Sequence, residues 1–244
     1  MIAALLNETA ADCDGNGIWY NIYEKMIAWA FVIAFSLVCS YFFFQKAKKV
    51  KRDSLSQSKV FQGYGWFVLG FALSRFIFIF SDIERWNNCI TELQIQFVLF
   101  AYTVGYFSAL SLISIVEGEL LNFQKRILTK FYFAFAILSL IFSIFVRLII
   151  HYLTIIRTIN MTINIFGTLL LIGIFARLIA QSAGVVQKRS LLTLIAVSLI
   201  LVGSILDSEL FIRSLSIPIW VPPILPMFGF IFLIYVQLWS ERNE

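Results

Sequence analysis

Long apolar runs separated by short polar connections constrain this chain more than any other feature of its sequence. Most runs reach about 18 residues, the length that a helix needs to cross the bilayer core. A soluble domain could not hide this much apolar surface, because 60% of the 244 residues are hydrophobic and only 14% are charged. Backbone groups in lipid must bond within their own segment, so each run is predicted to be a helix.

The predicted fold class is an all-α membrane protein, a bundle of seven transmembrane helices in a single domain over residues 26–239. The seven spans cover residues 26–45, 60–81, 93–116, 131–150, 159–179, 191–206 and 217–239. An extracellular segment, residues 1–25, precedes the bundle, and a short cytoplasmic tail, residues 240–244, follows it. Because prolines cluster at the start of the last span, we expect an irregular segment there and a regular helix from about Ile224.

Lys and Arg residues are distributed unequally between alternate connections, and this distribution predicts the orientation of the bundle. The connections after the first, third and fifth spans, with the C-terminal tail, hold 13 of these residues, against five on the other side. The positive-inside rule places the richer side in the cytoplasm, and therefore the N-terminus outside a multi-pass cell-membrane protein. The sixth span is short, which leaves open a six-span alternative with the C-terminus outside.

Arg75 is the most informative single residue, because a charge inside an apolar span is costly and normally faces the bundle interior with a partner. Asp82 lies seven residues further along the same helical face, and Asp207 ends the sixth span at the same outer level. Arg75 is therefore predicted to pair with Asp82 or Asp207. Three interpretations remain open: a ligand or ion site, a structural ion pair, or a side chain that reaches the interface.

Further polar side chains recur in the outer halves of the other spans, and antiparallel packing would bring them to a similar depth. The predicted ligand-binding set comprises Arg75, Asp82, Gln96, Arg147, Asn160, Asn164 and Asp207. Such residues could line an outward-facing polar cavity between helices, where membrane ligand sites are common. The structural alternative is that the helix ends of any membrane protein are polar.

The three cysteines are predicted to serve two purposes. The topology puts Cys13 and Cys89 on the oxidising side of the membrane, where a disulfide could hold the N-terminal segment over the mouth of the bundle. The alternative is two unpaired thiols. Cys39, near the cytoplasmic end of the first span, is interpreted as a small packing residue.

Several kinds of chemistry have no counterpart in the sequence. His151 is the only histidine, so no metal-ligand spacing is present, and no cofactor is predicted. Retinal would need a lysine inside the last span, and none occurs there. Basic residues lie between spans, which argues against nucleic acid as a partner. No general acid–base pair occurs at one depth on two spans, so we expect the protein not to be an enzyme.

These observations favour a receptor or sensor with an outward-facing polar ligand site, embedded in the lipid bilayer. The segment of residues 117–130 carries mixed charge and is interpreted either as a docking surface for a cytoplasmic protein or as a solvated loop. A small transporter or channel that uses the same outer vestibule is the alternative. The inner halves of the spans look dry, which is unusual for a transporter.

Overall fold

The computed structural model describes residues 22–88, 91–120, 126–145, 153–181, 183–207 and 217–243. Within these ranges the chain is helical apart from short connections and contains no strand. The helices are α1 Ile22–Val50, α2 Leu55–Asn88, α3 Glu92–Ile115, α4 Ile127–Ile144, α5 Leu153–Gln181, α6 Gly184–Leu206 and α7 Val221–Asn243. A π-helical turn, Val116–Leu120, directly follows α3.

Each of the seven predicted spans overlaps one of these helices. Five helices, α1 to α4 and α6, are long and apolar enough to cross a membrane. In α5 and α7 the apolar stretches are shorter, Ile165–Gln181 and Val221–Gln237. The last helix begins at Val221, earlier than expected, after a non-helical segment from residue 217. Its first turn tolerates two prolines because the N–H groups there lack intrahelical partners anyway.

The surface of the bundle confirms a helical membrane protein. Large apolar side chains point outward along several helices, and Phe31, Trp66 and Leu169 are each more than half exposed. Contiguous apolar surface of this kind is rare on soluble monomers. The same helices bury a second set of apolar side chains inside the bundle, among them Phe43, Phe67 and Phe230. Apolar residues on both sides of a helix are expected where the outer side contacts lipid.

Local capping contacts define where three helices begin. At the start of α2, Ser54 Oγ accepts a hydrogen bond from the N–H of Gln57 at 3.3 Å. At the start of α3, Thr91 Oγ1 accepts one from the N–H of Gln94 at 3.1 Å. Both contacts satisfy a backbone donor that has no partner inside the helix. The start of α4 is capped differently, by a side chain from the π-helical turn.

Most helices pack against their neighbours in the chain. Along the chain α1 packs on α2, α2 on α3, α3 on α4, α5 on α6 and α6 on α7, and α7 packs back on α1. The antiparallel arrangement gives the bundle two ends. The end at which α2 and α6 finish and α7 begins is named the Asp207 end, and the opposite end is named the Lys46 end.

Glycines allow α6 and α7 to approach closely near the Asp207 end. A Cβ atom added to Gly203 would clash with the ring of Pro226, and one added to Gly229 would lie 2.7 Å from the carbonyl oxygen of Ala196. Pro226 has no N–H group, so it cannot bond the carbonyl four residues earlier, and its ring fills the space beside Gly203. Gly203 lies four residues before Asp207, so α6 and α7 are in close contact one turn before the end of α6.

Candidate functional site

Arg75 and Asp207 form a buried ion pair at the Asp207 end. Arg75 Nη1 donates to Asp207 Oδ2 at 2.8 Å, and both side chains are less than a tenth exposed. Arg75 lies on α2, and Asp207 is the C-terminal cap of α6. The pairing predicted from the sequence is therefore confirmed, with Asp207 as the partner. Because a charge inside a bundle needs compensation, this contact ties α2 to α6.

A second cation joins this pair. Lys25, in the first turns of α1, places its Nζ 3.1 Å from Asp82 Oδ2 and 3.4 Å from Asp207 Oδ1. Two cations and two carboxylates thus form one group: Lys25, Arg75, Asp82 and Asp207. It is named the outer charge cluster after the orientation predicted from the sequence. Its formal charges cancel. Asp82 is its most exposed side chain, at 18%, whereas the Lys25 side chain is 9% exposed.

Aromatic rings enclose the guanidinium of Arg75. Its Cζ lies 4.2 Å from the ring centre of Trp29, 5.5 Å from that of Phe71 and 5.3 Å from that of Phe78. Cation–π contacts at these distances stabilise a desolvated guanidinium. Trp29 Nε1 also donates to Asp207 Oδ1 at 3.3 Å. Arg75 is therefore held by a carboxylate and by aromatic rings. Asp207 receives contacts from α1 as well as from α2.

Lys25 and Trp29 were not among the predicted site residues. Lys25 is the last residue of the predicted extracellular segment, at the edge of the first predicted span. The two residues are four positions apart and therefore share one helical face, which is the signal that could have linked them. What they contact, however, depends on how α1 packs against α2 and α6.

The remaining predicted polar residues do not all join the outer charge cluster. Gln96 is exposed on the surface of α3, and the buried glutamine is Gln94, whose Nε2 donates to Ser81 Oγ at 3.0 Å. Asn160 lies buried in a contact between α5 and α3, where it accepts from the hydroxyl of Tyr106 through both its backbone and side-chain oxygens, at 3.1 and 3.0 Å.

Other predictions fall on parts of the chain that the structure does not describe. Arg147 lies outside the described residues, as do Cys13 and Cys89, so the disulfide stays a prediction. Asn164 belongs to α5, but its side chain is not described. Cys39 is fully buried as a free thiol, which agrees with its interpretation as a packing residue.

The Lys46 end also contains buried polar groups, which lie at or just beyond the ends of the predicted spans. Lys46 Nζ donates to the backbone oxygen of Gln237 at 2.8 Å, and Arg189 Nη2 donates to its side-chain oxygen at 2.5 Å. Gln237 is 1% exposed. This group, named the inner polar cluster, comprises Lys46, Arg189 and Gln237 and joins α1, α6 and α7. This cluster was not predicted, because Lys46 and Arg189 belong to runs of basic residues that are typical of loops.

Glu117 has a local structural role. Its carboxylate accepts from the N–H of Leu128 at 3.1 Å, and from the N–H and hydroxyl of Thr129 at 2.9 and 2.7 Å. It thereby caps α4, whose own capping residue, Arg126, makes no side-chain capping bond. A carboxylate is favoured at a helix N-terminus by the helix dipole. Because Glu117 is buried, it is not available to a docking partner, whereas Arg126 and Lys130 are exposed.

Comparisons with protein families, with curated proteins and with solved structures found no match to this chain. Within the described part of the chain, no group of three or more His, Cys, Asp or Glu residues is placed to hold a metal ion. The function is therefore inferred from the two polar clusters themselves.

Proposed function

We propose that this chain is a receptor or sensor of the cell membrane, with seven spans, an external N-terminus and a cytoplasmic C-terminus. The 13-to-5 distribution of basic residues supports this orientation. Helices α5 and α7 supply the two further spans. Their apolar stretches lie at the short limit for a span, but the helices that contain them extend over 29 and 23 residues.

The observation that carries the proposal is the buried Arg75–Asp207 pair. In the proposed orientation this pair lies in the outer half of the membrane, where a solute from outside can compete for its charges. Burial makes such a site energetically sensitive, since an electrostatic contact is stronger where water is excluded. A ligand that bound one member of the pair would change the contact that holds α2 to α6.

Two helices extend from the outer charge cluster to the inner polar cluster, which gives a route to the cytoplasmic side. Helix α1 carries both Lys25 and Lys46, and α6 carries both Asp207 and Arg189. A shift of either helix at one end would alter hydrogen bonds at the other. Among the described residues of the 117–130 segment, the exposed cations Arg126 and Lys130 are proposed to contact a cytoplasmic partner.

The alternative function is a small transporter or channel that uses the same outer site. The inner polar cluster favours it, because buried polar groups then occur at both ends of the bundle. The receptor is preferred because the described contacts within each cluster hold helices together. Arg75, for example, is held by Asp207 and by aromatic rings.

The proposal is tested on the purified full chain with a panel of small amines, carboxylates and amino acids. We expect at least one compound to raise Tm of the wild type and to lose that effect in Asp207→Asn, which keeps the shape of the side chain. The same compound should not cross proteoliposome membranes faster than in protein-free vesicles. Uptake that Asp207→Asn abolishes would favour the transporter, and the absence of any Asp207-dependent response would overturn the outer ligand site.

A further inference from the structure

Lys25 occupies the position of a ligand within the outer charge cluster. Its ammonium group lies between two carboxylates on two other helices, at 3.1 Å from Asp82 and 3.4 Å from Asp207. An ammonium group has three donors and can satisfy two carboxylates at once. We propose that this position is a binding site for a primary ammonium group of a small external molecule, and that Lys25 occupies it as an internal competitor.

The two cations of the cluster differ in how firmly they are held. Arg75 is in the middle of α2, bonds Asp207 at 2.8 Å and is enclosed by three aromatic rings. The described carboxylate contacts of Lys25 are longer, at 3.1 and 3.4 Å, and Lys25 lies three residues after Ile22, the first described residue of α1. The first turn of a helix opens at a lower free energy than its interior. The ammonium of Lys25 is thus the exchangeable cation, and the guanidinium is part of the site.

The exposure of the carboxylates indicates where a solute would arrive. The Asp82 side chain is 18% exposed, twice the value for Asp207. A small ammonium ion would reach Asp82 first and then Asp207, while Arg75 keeps the second oxygen of Asp207 engaged. Replacing one ammonium by another leaves the charge of the cluster unchanged, which keeps the cost of exchange low. An anion would instead have to displace a carboxylate from Arg75.

This inference rests on the proposed outer ligand site and names the class of its ligand. The experiment uses the full chain with Lys25→Ala, which removes the competitor, and adds n-propylammonium chloride, which replaces the missing part of the side chain. Tetramethylammonium chloride at the same ionic strength is the control, because it carries the charge without N–H donors.

We expect n-propylammonium to raise Tm of Lys25→Ala by roughly 2–5 °C at about ten times its Kd. Tetramethylammonium should have no such effect, and Lys25→Ala/Asp82→Asn should not respond. The wild type should need at least about tenfold more n-propylammonium, because the tethered Lys25 competes at a high effective concentration. Equal effects of the two salts on Lys25→Ala would overturn the ammonium site.

Two further measurements keep the outcomes distinct. If sodium propionate stabilises Lys25→Ala and n-propylammonium does not, the ligand class is wrong while the outer ligand site stands. If Lys25→Ala does not fold, hydrogen exchange of the wild type decides. In that case n-propylammonium should speed exchange in the first turn of α1 relative to tetramethylammonium, and unchanged exchange would overturn the proposal.

Discussion

The described contacts of the outer charge cluster differ in kind from those of the inner polar cluster. At the Asp207 end, Lys25 and Arg75 contact carboxylates at 2.8 to 3.4 Å. At the Lys46 end, Lys46 and Arg189 donate to the two oxygens of Gln237, which is neutral. The first arrangement couples full charges on three helices, whereas the second uses hydrogen bonds to an amide and a carbonyl. The two ends should therefore differ in how much a single substitution costs.

Glu117 extends this contrast. Its carboxylate is buried at the Lys46 end, and its described contacts are to the start of α4. Asp82 and Asp207 thus bind cations, while Glu117 binds two backbone N–H groups and a hydroxyl. In an ion pair, a soluble ion of the same charge can replace one of the two side chains. A helix cap is tied to one residue and one helix end, which suits a structural role.

The largest effect is expected at the outer charge cluster. Arg75→Leu leaves the Asp207 carboxylate buried beside a single cation, and losing one partner of a buried pair costs roughly 3–5 kcal/mol. Unfolding in denaturant, followed in detergent micelles, measures this loss. Arg52→Leu is the matched control, because Arg52 is exposed in the turn after α1. The double variant Arg75→Leu/Asp207→Leu should lose less than Arg75→Leu alone, and a larger loss would contradict the pairing.

A smaller loss is expected at the inner polar cluster. Gln237→Leu removes the side-chain acceptor of Arg189 but keeps the backbone oxygen that Lys46 contacts, and should cost about 1–3 kcal/mol. Gln237→Glu supplies a carboxylate in the same place and should cost less than Gln237→Leu. The free energies of unfolding of the wild type, Gln237→Leu and Gln237→Glu test both expectations. If Gln237→Leu lowers the free energy of unfolding as much as Arg75→Leu does, the two clusters do not differ in how much they stabilise the fold.

The cap of α4 should contribute less again. Glu117→Gln keeps an oxygen acceptor but removes the charge at the helix N-terminus, with an expected cost of about 1 kcal/mol. Hydrogen exchange in the first turn of α4 should increase in parallel. Asp53→Asn is the control for loss of a carboxylate, because Asp53 is exposed in the turn after α1. An equal effect of both substitutions would remove the structural role given to Glu117.

The smallest effects separate two glutamines of α3. Gln94→Leu removes the buried bond to Ser81 and should cost about 1 kcal/mol, the scale of interhelical hydrogen bonds in membranes. Gln96→Leu changes an exposed side chain and should stay within about 0.5 kcal/mol of the wild type. Thermal unfolding of the two variants measures both losses of stability. A larger loss of stability in Gln96→Leu would mean that Gln96 makes an important contact and would again make it a candidate site residue.

Helix content and the approximate positions of the helices could be predicted because hydrophobicity acts through composition along the chain. A run long enough to cross the bilayer must bond its own backbone, whichever neighbours it has. The same local reasoning identified Arg75 as a charge that needs a partner. It also placed an irregular segment before α7, although the helix begins at Val221 rather than near Ile224.

Which residues contact each other was decided by tertiary structure alone. Asp82 and Asp207 were equal candidates for Arg75 by sequence, and the structure places Asp207, at the end of α6, 2.8 Å from the guanidinium. Lys25 joined the cluster because α1 packs against α2, and Gln96 was excluded because α3 turns Gln94 inward. The physical reason is that hydrophobic burial is non-directional, whereas a buried charge is satisfied by one particular atom on another helix.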